Sequence, residues 1–185
     1  DRIYVVTVAE QVAQLRAQSP EVPAENFIVE PAPRGTASVV GLAAVILKER
    51  DPEAVMAVLP ADHYIRNRAL FHLLIRVAVD VAEKGYLVTL GITPTYAATG
   101  YGYIQRGESI PERVIYPVYS VLKFKEKPKD AEAREMIAAG DHSWNSGMFV
   151  WRADSILAEI GRQLPKLDEA LIGIAAASTS AGREQ

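Results

Sequence analysis

The 185-residue chain contains no cysteine. That excludes disulfides, zinc-thiolate centres and a cysteine nucleophile, and it suits a reducing compartment, so a cytoplasmic protein is expected. Long apolar runs are lacking too. The longest, Ala37 to Leu47, falls short of the ~20 residues a membrane span requires. No basic-then-apolar leader opens the chain, so no secretory signal and no membrane partner are expected. An excess of positive charge is also missing. Lys and Arg supply 20 residues against 23 from Asp and Glu, a net charge of −3 with a pI near 5.7. The bulk attraction behind non-specific nucleic-acid binding is therefore absent. There is no internal repeat and no low-complexity linker. What the chain does have is a hydrophobic fraction of 49%, enough for a sizeable core and too much for disorder. Its length suits one domain or a large piece of one.

Short β-branched runs alternate with longer segments of helical period, the pattern of βαβ units and a mostly parallel sheet. Strands are expected at Ile3–Val8, Phe27–Val29, Ala54–Leu59 and Tyr86–Ile92. Helices are expected at Glu10–Gln18, Thr36–Arg50 and Arg68–Lys84. Asp51-Pro52 stops the second helix and Gly85 ends the third. Leu70, Leu74, Val77 and Val81 place one apolar stripe on that third helix. Beyond Ile92, Tyr101–Arg106 and Val114–Phe124 read as an antiparallel excursion. Asp130–Ala139 returns to helix, Trp144–Trp151 to strand and Ala153–Arg162 to helix. The Ala-, Ser- and Gly-rich tail after Leu171 is expected to fray. Asp1 and Arg2 lead straight into a strand without an initiator Met, as a piece of a longer protein would.

In a doubly wound sheet, ligands bind beyond the carboxyl ends of the strands, and four clusters lie there. The first is Glu30-Pro31-Ala32-Pro33-Arg34-Gly35-Thr36-Ala37. Arg34 offers a planar donor fork for phosphate, while Thr36 suits a base contact or, more blandly, an N-cap. The second is Leu59-Pro60-Ala61-Asp62-His63. One carboxylate there suits Mg²⁺ shared with a nucleotide phosphate; the plain alternative is an Asp that stabilises its own turn. His63 and His72 lack the spacing of a metal pair. In the third, Thr93 to Ile104, Gly100 and Gly102 alternate with Tyr101 and Tyr103. That allows close backbone approach to a ligand, although a plain hairpin uses the same composition. The fourth joins Phe124-Lys125-Glu126-Lys127-Pro128 to Trp144-Asn145-Ser146-Gly147-Met148-Phe149. Glu126 can accept sugar hydroxyl protons, Lys127 can neutralise phosphate, and Asn145 both donates and accepts. The alternative for Lys123 to Lys129 is a solvated charge run.

Taken in order, these clusters resemble the mannose-1-phosphate guanylyltransferase (GDP-mannose pyrophosphorylase) family of sugar nucleotidyltransferases. The matching pieces are Glu30-Pro31 with Arg34 and Thr36-Ala37, Leu-Pro-Ala-Asp-His at 59–63, and Pro94-Thr95 with Thr99-Gly-Tyr-Gly-Tyr-Ile104. Phe-Lys-Glu-Lys-Pro at 124–128 and Trp-Asn-Ser-Gly-Met-Phe at 144–149 complete the set. The resemblance covers nearly the whole chain. It implies a Rossmann-like α/β fold of the nucleotide-diphospho-sugar transferase type, a mostly parallel sheet flanked by helices with a small antiparallel excursion. It also implies GTP and mannose 1-phosphate as substrates, Mg²⁺ as cofactor, and pyrophosphate release. By position, Asp62 would be the metal ligand, catalytic together with Lys127. Arg34 and Thr36 would meet the nucleotide, Gly100, Tyr101, Glu126 and Asn145 the mannose, and Lys127 its phosphate.

The chain departs from the family's pattern in four ways. Gly35 stands where the family usually carries Asn. The family's glycine-rich, Arg-containing phosphate loop, its later acidic metal ligand and its C-terminal β-helical region are not found. The chain therefore reads as residues 1–185 of a partial catalytic domain, expected to be inactive alone. A non-catalytic sugar-nucleotide-binding regulatory homologue and a thymidylyl- or uridylyltransferase for glucose 1-phosphate are the rival readings. Self-association and the presence of a second isomerase domain stay open.

Overall fold

A computed structural model describes residues 2–110 and 115–181. The chain forms two compact units, Asp1–Ala54 with Ala153–Gln185, and Val55–Arg152.

In the first unit, β1 (Val5–Val8) leads into α1 (Ala9–Gln18) and a one-turn 3₁₀ helix, then β2 (Phe27–Glu30) and α2 (Thr36–Arg50). β1 and β2 pair in parallel, Val5 opposite Phe27. The 49–51 end of α2 is tied to them. Arg50 Nη1 donates to Asn26 Oδ1 at 3.1 Å and Nη2 to the Glu25 carbonyl at 3.1 Å, while its guanidinium sits 5.1 Å from the Tyr4 ring centroid. Buried Asn26 is thereby satisfied, since its Nδ2 also donates to the Ile3 carbonyl. α5 (Ala153–Gln163) and α6 (Pro165–Ala181) belong to the same unit, and Leu171 and Ile160 pack onto α2 at Gly41. The expected fraying after Leu171 is not observed. Leu171 is buried, and the Ala175-Ala176-Ala177 run, the best helix-forming residue repeated, carries α6 on to Ala181.

The second unit holds β3 (Val55–Val58), α3 (Arg68–Ala82), β4 (Val88–Ile92), β5 (Tyr103–Ile110), β6 (Val118–Lys125), α4 (Asp130–Ala139) and β7 (His142–Arg152). β7 is its organising strand. It pairs antiparallel with β3 through residues 149–152, with β4 through 144–145 and 149–150, and with β5 through 142–144. β5 and β6 form an antiparallel hairpin. The α/β class holds, with parallel pairing between β1 and β2 and an antiparallel sheet larger than the excursion expected. The expected strand start at Val114 lies outside the described residues. α3 lays Ala78 and Ala82 onto Val150, with Val88 and Leu90 beside them. Around Tyr103 and Trp144, Ala98 and the α4 residue Ala133 close a second apolar cluster. Among the described residues no helix is long and apolar enough to cross a membrane.

Candidate functional site

In the second unit four of the sequence motifs gather around an irregular stretch of β7, Asn145–Gly147, where its register with β4 shifts. Val58, the last residue of β3, pairs with Phe149, so the loop that leaves β3 runs beside this bulge. Gly147 has φ +71°, and a Cβ there would lie 3.3 Å from Pro60 Cγ. The left-handed conformation and the close approach both favour glycine. Gly147→Ala is expected to destabilise the protein by about 1–2 kcal/mol, read as a lower urea midpoint at constant m; an unchanged midpoint would contradict the assignment of strain.

Two residues beyond Pro60, the Asp62 side chain is 87% exposed, with only His63 Nε2 nearby at 3.8 Å from its Oδ1. No Lys or Arg neutralises it among the described residues, and no cluster of three or more His, Asp or Glu residues there could hold a metal alone. A single free carboxylate at a strand end is the donor set that suits Mg²⁺ completed by phosphate oxygens. The reading of Asp62 as a turn-stabilising residue finds no hydrogen bond to support it among the described residues.

On the other flank, the Asn145 backbone N–H donates to the Gly102 carbonyl at 2.7 Å. Gly102, buried, backs directly onto Glu126: a Cβ there would meet Oε2 at 2.8 Å and Phe124 Cζ at 3.0 Å. Glu126 and Lys127 are 59% and 66% exposed, with Nζ 3.7 Å from Oε1. A pair so open contributes little to stability. Yet Lys127 takes φ +42°, the one non-glycine residue with positive φ among those described. This strained backbone, next to the buried Pro128, is not repaid by so open an ion pair. The loop from Thr93 to Gly102 completes the flank. Gly100 has open space beside it, as close ligand approach requires. Tyr96 and Tyr101 both meet the buried Trp144 edge-on, at 5.1 Å between centroids. The nearby Tyr101 hydroxyl pushes the Tyr96 phenol above its ordinary pKa.

The Asn145 side chain is anchored inside the protein: its Oδ1 accepts from the Gly147 N–H at 3.2 Å and from Thr89 Oγ1 at 3.2 Å. Ser146 Oγ donates to the Leu90 carbonyl at 2.7 Å and accepts from the Met148 N–H at 3.1 Å, which fixes this stretch of β7 against β4.

Arg34 and Thr36 lie in the first unit, at the start of α2, and both are exposed. Thr36 does not cap the helix. The N-cap is Gly35 at φ +90°, and Thr36 is the first helical residue. With ψ 168°, that φ falls in a region essentially reserved for glycine, which suits Gly35 at this position. Sequence reasoning passed over Thr89, Gly102 and Gly147 as site residues. The glycines stood inside quoted motifs, whereas Thr89 carried no signal in an apolar strand.

A concavity of about 460 Å³ lies between α3, β4 and the β5–β6 hairpin. Its walls are chiefly apolar, including Leu74, Val81, Ile104 and Val121, and Thr89 and Thr93 line it on the side of the site.

A family model described as nucleotidyl transferase matches residues 1–182. A mannose-1-phosphate guanylyltransferase of Klebsiella pneumoniae is 44% identical over 163 residues, 88% of this chain and 33% of that protein. Another from Sinorhizobium fredii is 39% identical over 173 residues, 93% of this chain and 32% of that one. The chain thus spans about a third of the length of the curated relatives it matches. A crystal structure of a mannose-1-phosphate geranyltransferase from Thermus thermophilus superposes with a TM-score of 0.83 at 32% identity, covering 95% of this chain and 49% of that one. By the span of the family match and the fold it shares with these relatives, the chain belongs to the nucleotidyl transferase family.

Proposed function

We propose that the protein to which this chain belongs transfers a guanylyl group from GTP to mannose 1-phosphate, giving GDP-mannose and pyrophosphate. The observation that carries this reading is the convergence on one bulged stretch of β7 of the Asp62 loop, through Pro60 and Gly147, and of Glu126, through Gly102 and the Asn145 N–H. The guanylyltransferases among its relatives support the choice of nucleotide and sugar.

In the proposed reaction a phosphate oxygen of mannose 1-phosphate attacks the α-phosphorus of GTP. A new P–O bond forms and the bond to the β-phosphate oxygen breaks, so pyrophosphate leaves with the electron pair. No covalent enzyme intermediate is needed, so the protein's task is positioning and charge neutralisation. Mg²⁺ held at Asp62 would supply neutralisation of the phosphate oxygens. Glu126, an acceptor only, takes protons from sugar hydroxyls, and Lys127 Nζ meets the sugar phosphate. Gly100 and Tyr101 let backbone lie close to the sugar. Arg34 and Thr36, at the exposed start of α2, serve the nucleotide. Residues 1–185 are proposed as part of the catalytic domain. A cytoplasmic place of work belongs to the same reading, on the absence of cysteine.

The test runs the reaction backwards. The full-length protein, given GDP-mannose, pyrophosphate and Mg²⁺, is expected to regenerate GTP. Binding of GDP-mannose without GTP formation would make it a sugar-nucleotide-binding regulatory homologue, and preferential consumption of a thymidine or uridine diphosphate glucose would move it to another branch.

A further inference from the structure

The orientation of the Asn145 carboxamide is fixed by chemistry. The Gly147 N–H lies 3.2 Å from one side-chain atom of Asn145, and a backbone N–H can only donate, so that atom must be oxygen. Thr89 Oγ1 faces the same oxygen at 3.2 Å, across 56 residues of sequence, and lies at the same distance from the Met148 carbonyl. With the amide reversed, its NH₂ would confront the Gly147 N–H, leaving that backbone donor unpaired. With the Thr89 hydroxyl removed, the oxygen would keep a single, short-range tether two residues along β7. As it stands, Nδ2 has no hydrogen bond among the described residues and is the group left to meet a ligand.

We propose that Thr89 is a positioning residue. Its hydroxyl holds Asn145 so that the site presents a donor, the Nδ2 amide, beside an acceptor, the Glu126 carboxylate. The sugar hydroxyl at Asn145 must then offer a lone pair, whereas the hydroxyl at Glu126 must offer its proton. This assigns a hydrogen-bond polarity to the hexose phosphate that a freely rotating amide would not impose, and it rests on the reading of Glu126 and Asn145 as the sugar contacts. Thr89 touches no reacting atom.

Steady-state kinetics of the full-length protein with two variants test it. Thr89→Val keeps the volume and the γ-methyl but loses the hydroxyl; Thr89→Ser keeps the hydroxyl and loses the methyl. Thr89→Val is expected to raise KM for mannose 1-phosphate by about tenfold, with KM for GTP within about twofold. Thr89→Ser should stay within about twofold of wild type for both substrates. An unchanged KM in Thr89→Val, or equal impairment in both variants, would overturn the proposal, because a packing role follows the methyl rather than the hydroxyl. Should Thr89→Val not fold, Asn145→Asp reads the same polarity. Exchanging the donor for an acceptor is expected to raise KM for mannose 1-phosphate by about tenfold or more, and tolerance of that exchange would refute it. Failure of the underlying reading is distinct, since wild type itself would then show no turnover of mannose 1-phosphate.

Discussion

Replacing Asp62 by Asn in the full-length protein is expected to leave the fold intact and to cut kcat by roughly 10²-fold or more, about 3 kcal/mol of transition-state stabilisation. The fold should survive because the side chain is 87% exposed and, among the described residues, has no partner nearer than His63 Nε2 at 3.8 Å. The rate should fall because, in the proposed mechanism, attack on the α-phosphorus gathers negative charge on the phosphate oxygens and this carboxylate holds the divalent cation that neutralises it. Asn keeps the shape and one acceptor oxygen but loses the charge. Thermal melting and kcat at saturating Mg²⁺ separate the two effects. A near-normal kcat would remove Asp62 from the mechanism, and a large drop in melting temperature would return it to a structural role.

Glu126→Ala is expected to act on the sugar and spare the nucleotide. A site built around hydrogen bonds to hydroxyls penalises their loss heavily, because the substrate's own polar groups go unpaired. KM for mannose 1-phosphate should rise by about tenfold or more, while KM for GTP stays within about twofold. Stability should change little, since the partner of Glu126 is the equally exposed Lys127 at 3.7 Å. Parallel movement of both KM values, or movement of that for GTP alone, would show that Glu126 does not select the sugar.

Much of this was legible in the sequence because the punctuation is local. Asp51-Pro52 stops α2 at Arg50, and Lys-Pro ahead of Asp130 with Gly140 behind Ala139 bounds α4, so both helices fall on the residues expected. Glycine and proline likewise marked the loops that carry Asp62, Gly100 and Glu126. What could not be read is non-local. β7 pairs with three strands drawn from positions 55–58, 88–92 and 103–105, and no periodicity within Trp144–Trp151 announces three partners. Thr89 looks like any β-branched strand residue until that pairing sets its hydroxyl against Asn145. The N-cap alternative for Thr36 fails because the chain enters α2 through Gly35 at a φ of +90°, which makes Thr36 the first helical residue. Gly102 was noted for backbone freedom, but its contact with the Glu126 carboxylate depends on the β5–β6 hairpin register.

The central claim is that the stretch of β7 at Asn145, with Glu126 and the Asp62 loop beside it, serves guanylyl transfer to a mannose phosphate. Pyrophosphate release by the full-length protein with GTP and Mg²⁺, measured in parallel with mannose 1-phosphate and glucose 1-phosphate, tests it most directly. The account predicts release that depends on the sugar phosphate, with kcat/KM at least ~10-fold higher for mannose 1-phosphate. Equal values for the two epimers, or no release with either, would contradict it.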